Sequence, residues 1–272
     1  MPSWRSSSRQ AANQSSRQVS RTDRPNNVLI TGGARRIGAA MARHLAGLGC
    51  NIAIHHHQSQ DDADALVSQL REAGVEALAL SADFSQPGES VRMFGEAADR
   101  LGTIDLLINN ASAFEHDSVF EPDETVWQAH FDLHVKAPSD LAAVLAAQDP
   151  AEGLIVNIID QRVWRPTPHF HSYTLSKSAL WMATRTLAQA LAPTIRVNAI
   201  GPGPTLANHR QSPHDFDRQV DGLILKRAPA LEEFGDTVHW LWRAKSVTGQ
   251  MIALDGGQHL AWETPDVTNA PE

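Results

Sequence analysis

From Asn27 onward, short apolar runs alternate with stretches of helical periodicity, and this restricts the chain more than any other feature. The runs Val28–Thr31, Asn51–His55, Glu76–Ser81, Ile104–Asn109, Leu154–Ile159, Ile195–Ala199 and Met251–Leu254 read as strands. Helical patterns fill most of the gaps, at Ile37–Leu48, Asp61–Ala73, Gly88–Leu101, Asp123–Ala147 and Ser172–Ala192. Strands that are apolar throughout and separated by helices belong to a parallel sheet covered on both faces. No internal repeat and no linker divides the pattern, so 27–262 reads as one α/β domain. A sequence of 272 residues with 42% hydrophobic content suffices for one large core.

The ends differ from this body. Residues 1–26 are rich in Ser, Gln and Asn, and carry Arg5, Arg9, Arg17, Arg21 and Arg24 against one acid, Asp23. Such a stretch reads as a solvated tail, or alternatively as an organelle-targeting peptide. Residues 263–272 read as a second tail. Residues 204–230 contain Pro, His and Asp without a strand pattern, and read either as a substrate lid or as a plain surface loop. The net charge of −8 gives no reason to expect nucleic acid or an anionic membrane as a partner. The single cysteine, Cys50, excludes an internal disulfide and points to a reducing, cytoplasmic setting. No apolar run is long enough to span a bilayer.

Two motifs carry chemistry. Thr31-Gly32-Gly33-Ala34-Arg35-Arg36-Ile37-Gly38 lies between the first strand and the first helix. Glycines there let a pyrophosphate approach the backbone N–H groups of a helix start. Far downstream, Tyr173 and Lys177 in YTLSK stand just over one helical turn apart, and Tyr173 is the only tyrosine. A lysine ammonium beside the phenol is expected to lower its pKa and make it an acid usable at neutral pH. Together the motifs predict hydride transfer from a nicotinamide cofactor.

Smaller signals refine this. The second strand ends in His55-His56-His57-Gln58-Ser59, without the acid that would bind a ribose 2′-hydroxyl. Arg36, the imidazoles and Ser59 can instead donate to a 2′-phosphate, which favours NADPH over NADH. Neighbouring strand residues face opposite ways, so the three histidines make a poor metal chelate. His130 and His134 have zinc-compatible spacing but no evident third ligand, and a structural or relay role is the better reading. Asp83 reads either as an acceptor for the adenine amino group or as a helix cap. Asn109-Asn110-Ala111 follows the fourth strand, at the sheet edge where ligands bind.

TGGARRIG, NNAS, YTLSK, RVNAIGPGP and SVTGQMIALDGG, in this order over about Asn27 to Gln258, resemble the short-chain dehydrogenase/reductase superfamily. The resemblance implies a seven-stranded, doubly wound Rossmann fold, a Tyr-Lys catalytic pair, and dimers or tetramers. It carries cofactor contacts over to Gly32, Arg36, Ile37, Gly38, His55, His57, Ser59, Asp83, Phe84, Asn109, Ala111, Ser112, Tyr173, Lys177, Pro202 and Gly203. Finer features look like the pteridine reductase and dihydromonapterin reductase branch. Arg36 replaces the third glycine of the phosphate turn, IAIHHHQS looks like the branch's second strand, and NNAS continues to Phe114. Asp160 stands thirteen residues before Tyr173, where most of the superfamily has a serine. The branch implies substrate contacts by Arg36, Phe114, Asp160 and Tyr173, with Phe114 stacking a pterin against nicotinamide. Unlike the superfamily, the chain has His134 where a catalytic asparagine is usual, and Gln58 where some branch members carry an arginine.

The expected activity is NADPH-dependent reduction of a pteridine C=N bond, with Tyr173 as proton donor and Lys177, Asp160 and His134 in support. The alternatives are a carbonyl reductase for a 3-oxoacyl or sugar-like ketone, and a non-catalytic NADP(H)-binding sensor or scaffold. Phe114 as core packing, Asp160 as a loop residue and Arg36 as a solvated helix residue are the plainer readings.

Overall fold

The computed structural model describes residues 23–207 and 212–263. Most of the two predicted tails, 1–22 and 264–272, lies outside the described residues. Seven strands form one parallel sheet: β1 (Asn27–Ile30), β2 (Asn51–His56), β3 (Ala77–Ser81), β4 (Leu106–Asn109), β5 (Gly153–Ile158), β6 (Ile195–Pro202) and β7 (Met251–Leu254). Their order is β3-β2-β1-β4-β5-β6-β7, the doubly wound arrangement. The chain winds one way from β1 to β3 and the other way from β4 to β7, leaving a crevice where β1 and β4 lie side by side.

Strand alternation builds the two layers. Val28 and Ile30 face one side of the sheet with Ile52, Ile54, Leu106 and Ile108. They meet α1 (Arg36–Gly47), α2 (Gln60–Glu72) and α8 (Leu231–Arg243) through Met41, Leu45, Leu66, Leu70, Phe234 and Leu241. Leu29 faces the opposite side with Leu80, Leu107, Ile155 and Val197. That side is covered by α3 (Glu89–Leu101), α5 (Ala137–Ala147) and α6 (His171–Ala190) through Met93, Phe94, Leu141, Leu145 and Ala188. Each core-facing side chain is apolar and nearly fully buried, which is what makes a central parallel sheet stable.

Four features depart from the sequence reading. The long predicted helix over Asp123–Ala147 is α4 (Glu124–Phe131) and α5 joined by a single π-turn, Asp132–Lys136, centred on His134. The segment 204–230 contains a helix, α7 (Pro213–Asp221), which begins in a capping box. Ser212 Oγ accepts from the Asp215 amide and Asp215 Oδ2 accepts from the Ser212 amide, both at 3.2 Å. The helix α8 has no counterpart among the predicted elements. The first described residues also belong to the fold rather than to a free tail. The amides of Asn26 and Asn27 donate to Asp105 Oδ2, and the Asp23 carbonyl lies 3.1 Å from His239 Nε2.

Candidate active site

The C-terminal ends of the strands carry a trough made of three connected cavities. At its centre is the turn from β1 into α1. Gly32 has φ +59, and a Cβ there would lie 2.8 Å from the Ala111 Cα. A Cβ on Gly38 would lie 2.5 Å from the Gly32 carbonyl oxygen. Glycine is required at both places because two backbones pass within van der Waals distance. The turn is stitched to the loop after β4. Thr31 Oγ1 accepts from the amides of Asn110 and Ala111, and Asn110 Nδ2 donates to the carbonyls of Thr31 and Gly32. No side chain caps α1, so its first N–H groups present a partial positive charge to the trough.

One cavity, about 430 Å3, is lined by His55, His57, Asp83, Phe84, Ala111 and Leu133. His55 is buried under it, stacked on Phe84 at 4.0 Å. Its Nδ1 accepts from the Gly32 amide at 3.2 Å, so Nε2 carries the proton and donates to the Ala82 carbonyl at 3.1 Å. Burial lowers its pKa to about 4, which keeps it neutral. The sequence reading of His55 as a phosphate donor does not fit this arrangement: both nitrogens are engaged by backbone, and the residue shapes the glycine turn instead. His57 is half exposed, 3.8 Å from Asp83 Oδ2, and Ser59 stands at the start of α2. Asp83 accepts from the amide and hydroxyl of Ser85. It does not cap α3, whose first flanking residue is Gly88.

The middle cavity, about 350 Å3, is lined by Gly32, Arg36, Ile37, Gly38, Lys177 and Gly203 among others. Lys177 is fully buried, and its Nζ donates to the Ile158 carbonyl at 2.9 Å. Burial lowers its pKa to about 8, with the Asp160 carboxyl opposing that shift. Asn109 is not part of the lining. Its Nδ2 donates to Asn157 Oδ1 at 2.8 Å inside the sheet, which corrects its assignment as a cofactor contact. The neighbouring Asn110 is the one that reaches the trough.

The third cavity, about 470 Å3, brings together Arg36, Phe114, Asp160, Arg162, Phe170 and Tyr173. Tyr173 Oη donates to Asp160 Oδ2 at 3.0 Å. Asp160 Oδ1 accepts from the Arg162 amide at 2.8 Å, which holds the carboxylate at the start of a 3-10 turn. Burial raises the pKa of Asp160. Burial and the facing Asp160 carboxyl raise that of Tyr173 well above an ordinary phenol. The expectation that Lys177 lowers the phenol is thus reversed in this structure. Lys177 Nζ points to the Ile158 carbonyl and lies 5.7 Å from the centroid of the tyrosine ring.

Phe114 stacks on Phe170 at 4.1 Å and meets Tyr173 edge-on at 4.7 Å. The Arg162 guanidinium lies 5.5 Å from the Phe114 centroid and 5.3 Å from that of Phe170. Neither Arg162 nor Phe170 was expected here. Phe170 holds φ +57 just before α6, and only the tertiary path of that loop brings it to Phe114. Arg36, also in the left-handed region at φ +52, donates to the carbonyls of Leu206 and Ala207 at 3.1 Å. It ties down the segment after β6 beside the trough, within the stretch read as either a lid or a surface loop.

His134 rests beneath Tyr173, with ring centroids 5.4 Å apart, and His130 stacks on His134 at 5.5 Å. His130 Nε2 accepts from the Glu115 amide, and its Nδ1 lies 2.7 Å from Ser172 Oγ. Among the described residues, no cluster of three His, Cys, Asp or Glu side chains could hold a metal.

A doubly wound sheet with an uncapped helix start, a Tyr-Lys pair and a carboxyl hydrogen-bonded to the tyrosine on one trough defines a dinucleotide-binding oxidoreductase. The chain belongs to the short chain dehydrogenase family, whose model matches residues 26–217. Among curated proteins it is 33% identical over 241 residues to a dihydromonapterin reductase of Klebsiella pneumoniae, spanning 87% of this chain and 98% of that protein. It is 29% identical over 241 residues, 86% of this chain and 99% of the other, to a 3-oxoacyl-[acyl-carrier-protein] reductase of Staphylococcus epidermidis. Among solved structures, FolM alternative dihydrofolate reductase 1 from Brucella suis, in complex with NADP, is 55% identical. It superposes with a TM-score of 0.86 over 89% of this chain and 98% of that one.

Proposed function

We propose that this protein is an NADPH-dependent reductase of a pteridine C=N bond, of the dihydropterin or dihydrofolate type. The observation that carries the reading is the hydrogen-bonded pair Tyr173–Asp160 opening into a cavity walled by Phe114 and Arg36. The names of its relatives support it, since two of those above are pteridine or folate reductases and one of them binds NADP.

The chain's residues suit that cofactor. Gly32 and Gly38 leave room for a pyrophosphate against the start of α1. His57 and Ser59 would donate to a 2′-phosphate, Asp83 and Phe84 would hold an adenine, and Lys177 would bind a ribose hydroxyl. Ile37, Ala111, Ser112, Pro202 and Gly203 complete the lining. When bound, the cofactor supplies hydride. The protein's part is to orient the ring and move one proton. Phe114 offers a flat apolar wall for a heterocycle. Tyr173 Oη–H passes its proton to the ring nitrogen next to the carbon being reduced. Asp160 fixes the direction of that hydroxyl and can match a pterin N–H or nitrogen, which a serine does less well.

Assembly as a dimer or tetramer in the cytoplasm completes the proposal. Leu175 and Met182 expose apolar surface seven residues apart on one face of α6. No described helix is long and apolar enough to cross a membrane.

The test is loss of NADPH absorbance with dihydromonapterin, dihydrobiopterin and dihydrofolate, against a panel of 3-oxoacyl and sugar-like ketones. Turnover of pterins is the expected result. Turnover confined to ketones would transfer the assignment to the carbonyl reductases, the class of the Staphylococcus relative. Tight NADPH binding with no turnover at all would leave only a sensor.

A further inference from the structure

The helix that carries Tyr173 and Lys177 has no cap of its own. α6 opens after Phe170, whose phenyl ring offers no acceptor, and its first turn contains no acid. The first amides of a helix need acceptors from outside it. Asp117, fifty-five residues before Ser172, supplies them. Its backbone carbonyl accepts from the His171 amide at 3.3 Å. Both oxygens of its carboxylate face the Ser172 amide, at 3.1 and 3.0 Å. Asp117 is buried, at 3% exposure. A carboxylate taken out of water is stabilised there by the partial positive charge of the helix start.

Asp117 closes the loop that carries Phe114. At the near end of that loop the Ala111 amide donates to Thr31 Oγ1. Between the two ends the Glu115 amide donates to His130 Nε2 at 3.3 Å. Burial lowers the pKa of His130 and keeps the ring neutral. A neutral ring that accepts at Nε2 carries its proton on Nδ1, which donates to Ser172 Oγ at 2.7 Å. Two routes therefore join the loop to Ser172, one through the Asp117 carboxylate and one through the His130 ring. Ser172 directly precedes Tyr173, and Phe114 meets Tyr173 edge-on at 4.7 Å. The proton donor and the aromatic wall come from segments far apart in the chain, and their spacing is fixed where loop and helix meet.

We propose that Asp117 is a positioning residue for the reduction: by capping α6 from outside, it fixes the gap between Phe114 and Tyr173 that receives the substrate ring. This rests on the roles given to Phe114 and Tyr173 in the proposed function. Asp117 lines none of the three cavities, so it acts on the substrate only through those two residues. A misplacement of about 1 Å in a reacting geometry costs up to about a hundredfold in rate.

The experiment has two arms. The first follows amide hydrogen exchange in the free protein. In Asp117→Ala, exchange at Ser172 and at Glu115 is expected to quicken together, whereas Asp117→Asn keeps an acceptor and should hold both slow. Unchanged exchange at Glu115 in Asp117→Ala would mean that loop and helix are not joined through this residue, and the proposal falls. No substrate enters this arm, so inert pterins would sink the proposed function alone. The second arm measures turnover. Asp117→Ala is expected to lower kcat/KM for dihydropterin about tenfold to a hundredfold, with the Kd for NADPH unchanged and with Asp117→Asn recovering most of the loss. Asp117→Glu keeps the charge of the cap, which guards against misfolding, but its extra methylene displaces the loop, and a loss of about tenfold is expected. In a Phe114→Ala background, Asp117→Ala should cost less than about threefold, because the wall it places is gone. Wild-type kcat/KM in Asp117→Ala or Asp117→Glu, a parallel loss of NADPH affinity, or losses that multiply in the double variant overturn the proposal.

Discussion

At the scale of single residues, the site is governed by burial of groups that would otherwise be charged. Asp160 is held at 3.0 Å from the Tyr173 hydroxyl, and its removal takes away the acceptor that aims that hydroxyl. Asp160→Ala is expected to lower kcat by about a hundredfold, the scale of a misplaced general acid, while NADPH affinity measured by fluorescence titration holds. Wild-type turnover would remove Asp160 from the mechanism. Lys177 carries a second consequence. Its pKa of about 8 in the folded protein is below its unfolded value of about 10.4. Between those values the unfolded chain holds more protons, so this residue makes stability rise with pH over that window. Cys50, raised to about 11 by burial, works in the opposite direction over much of the same range. The lysine's share therefore appears only as a difference. Lys177→Met should melt higher than the wild type near pH 7, and the gap should close as pH rises past 8. Thermal melts across pH 7–10 check the sign. The same deprotonation predicts that kcat/KM of the wild type declines as pH rises through about 8.

At the scale of elements, the trough depends on two helix ends and one irregular turn. The start of α1 is open because Gly38 lets the helix approach the β1 turn. Gly38→Val places carbon against the Gly32 carbonyl, where neither backbone can yield. The expected result is loss of NADPH binding with about 1–3 kcal/mol of stability, the usual cost of overpacking, read by ligand titration and denaturant unfolding. The π-turn in the middle of α4–α5 is what rotates His134 beneath Tyr173 and between Ser112 and Ser176. Single π-turns are found often at functional sites, since they change the facing of one residue without breaking the helix.

At the scale of the whole molecule, opposite winding of the two halves of the sheet makes the crevice. Exposed Leu175 and Met182 on α6 make association a whole-molecule expectation. Light scattering should report a dimer or tetramer, and Met182→Glu should shift it toward smaller species. A monodisperse wild-type monomer would refute this. Much of the architecture was legible beforehand, because strand burial leaves unbroken apolar runs and glycine is the only residue that fits two of the turn positions. The helix pair around the π-turn was not legible, since one turn of i→i+5 bonding shifts the apolar pattern by a single residue, too little to stand out in so short a stretch. The α7 segment was missed because its short capping signal is lost among Pro, His and Asp.

The amino-acid sequence by itself determined the sheet, the glycine turn before α1 and the Tyr173–Lys177 pair, because each depends on local periodicity or on spacing within one element. Only the tertiary structure decided that His55 and Asn109 turn inward to backbone and sheet, that Phe170 and Arg162 meet Phe114, and that Ser112 and Ser176 hold His134. Those pairings join residues from different elements. Their partners are chosen by how the layers pack, and no local pattern encodes that choice.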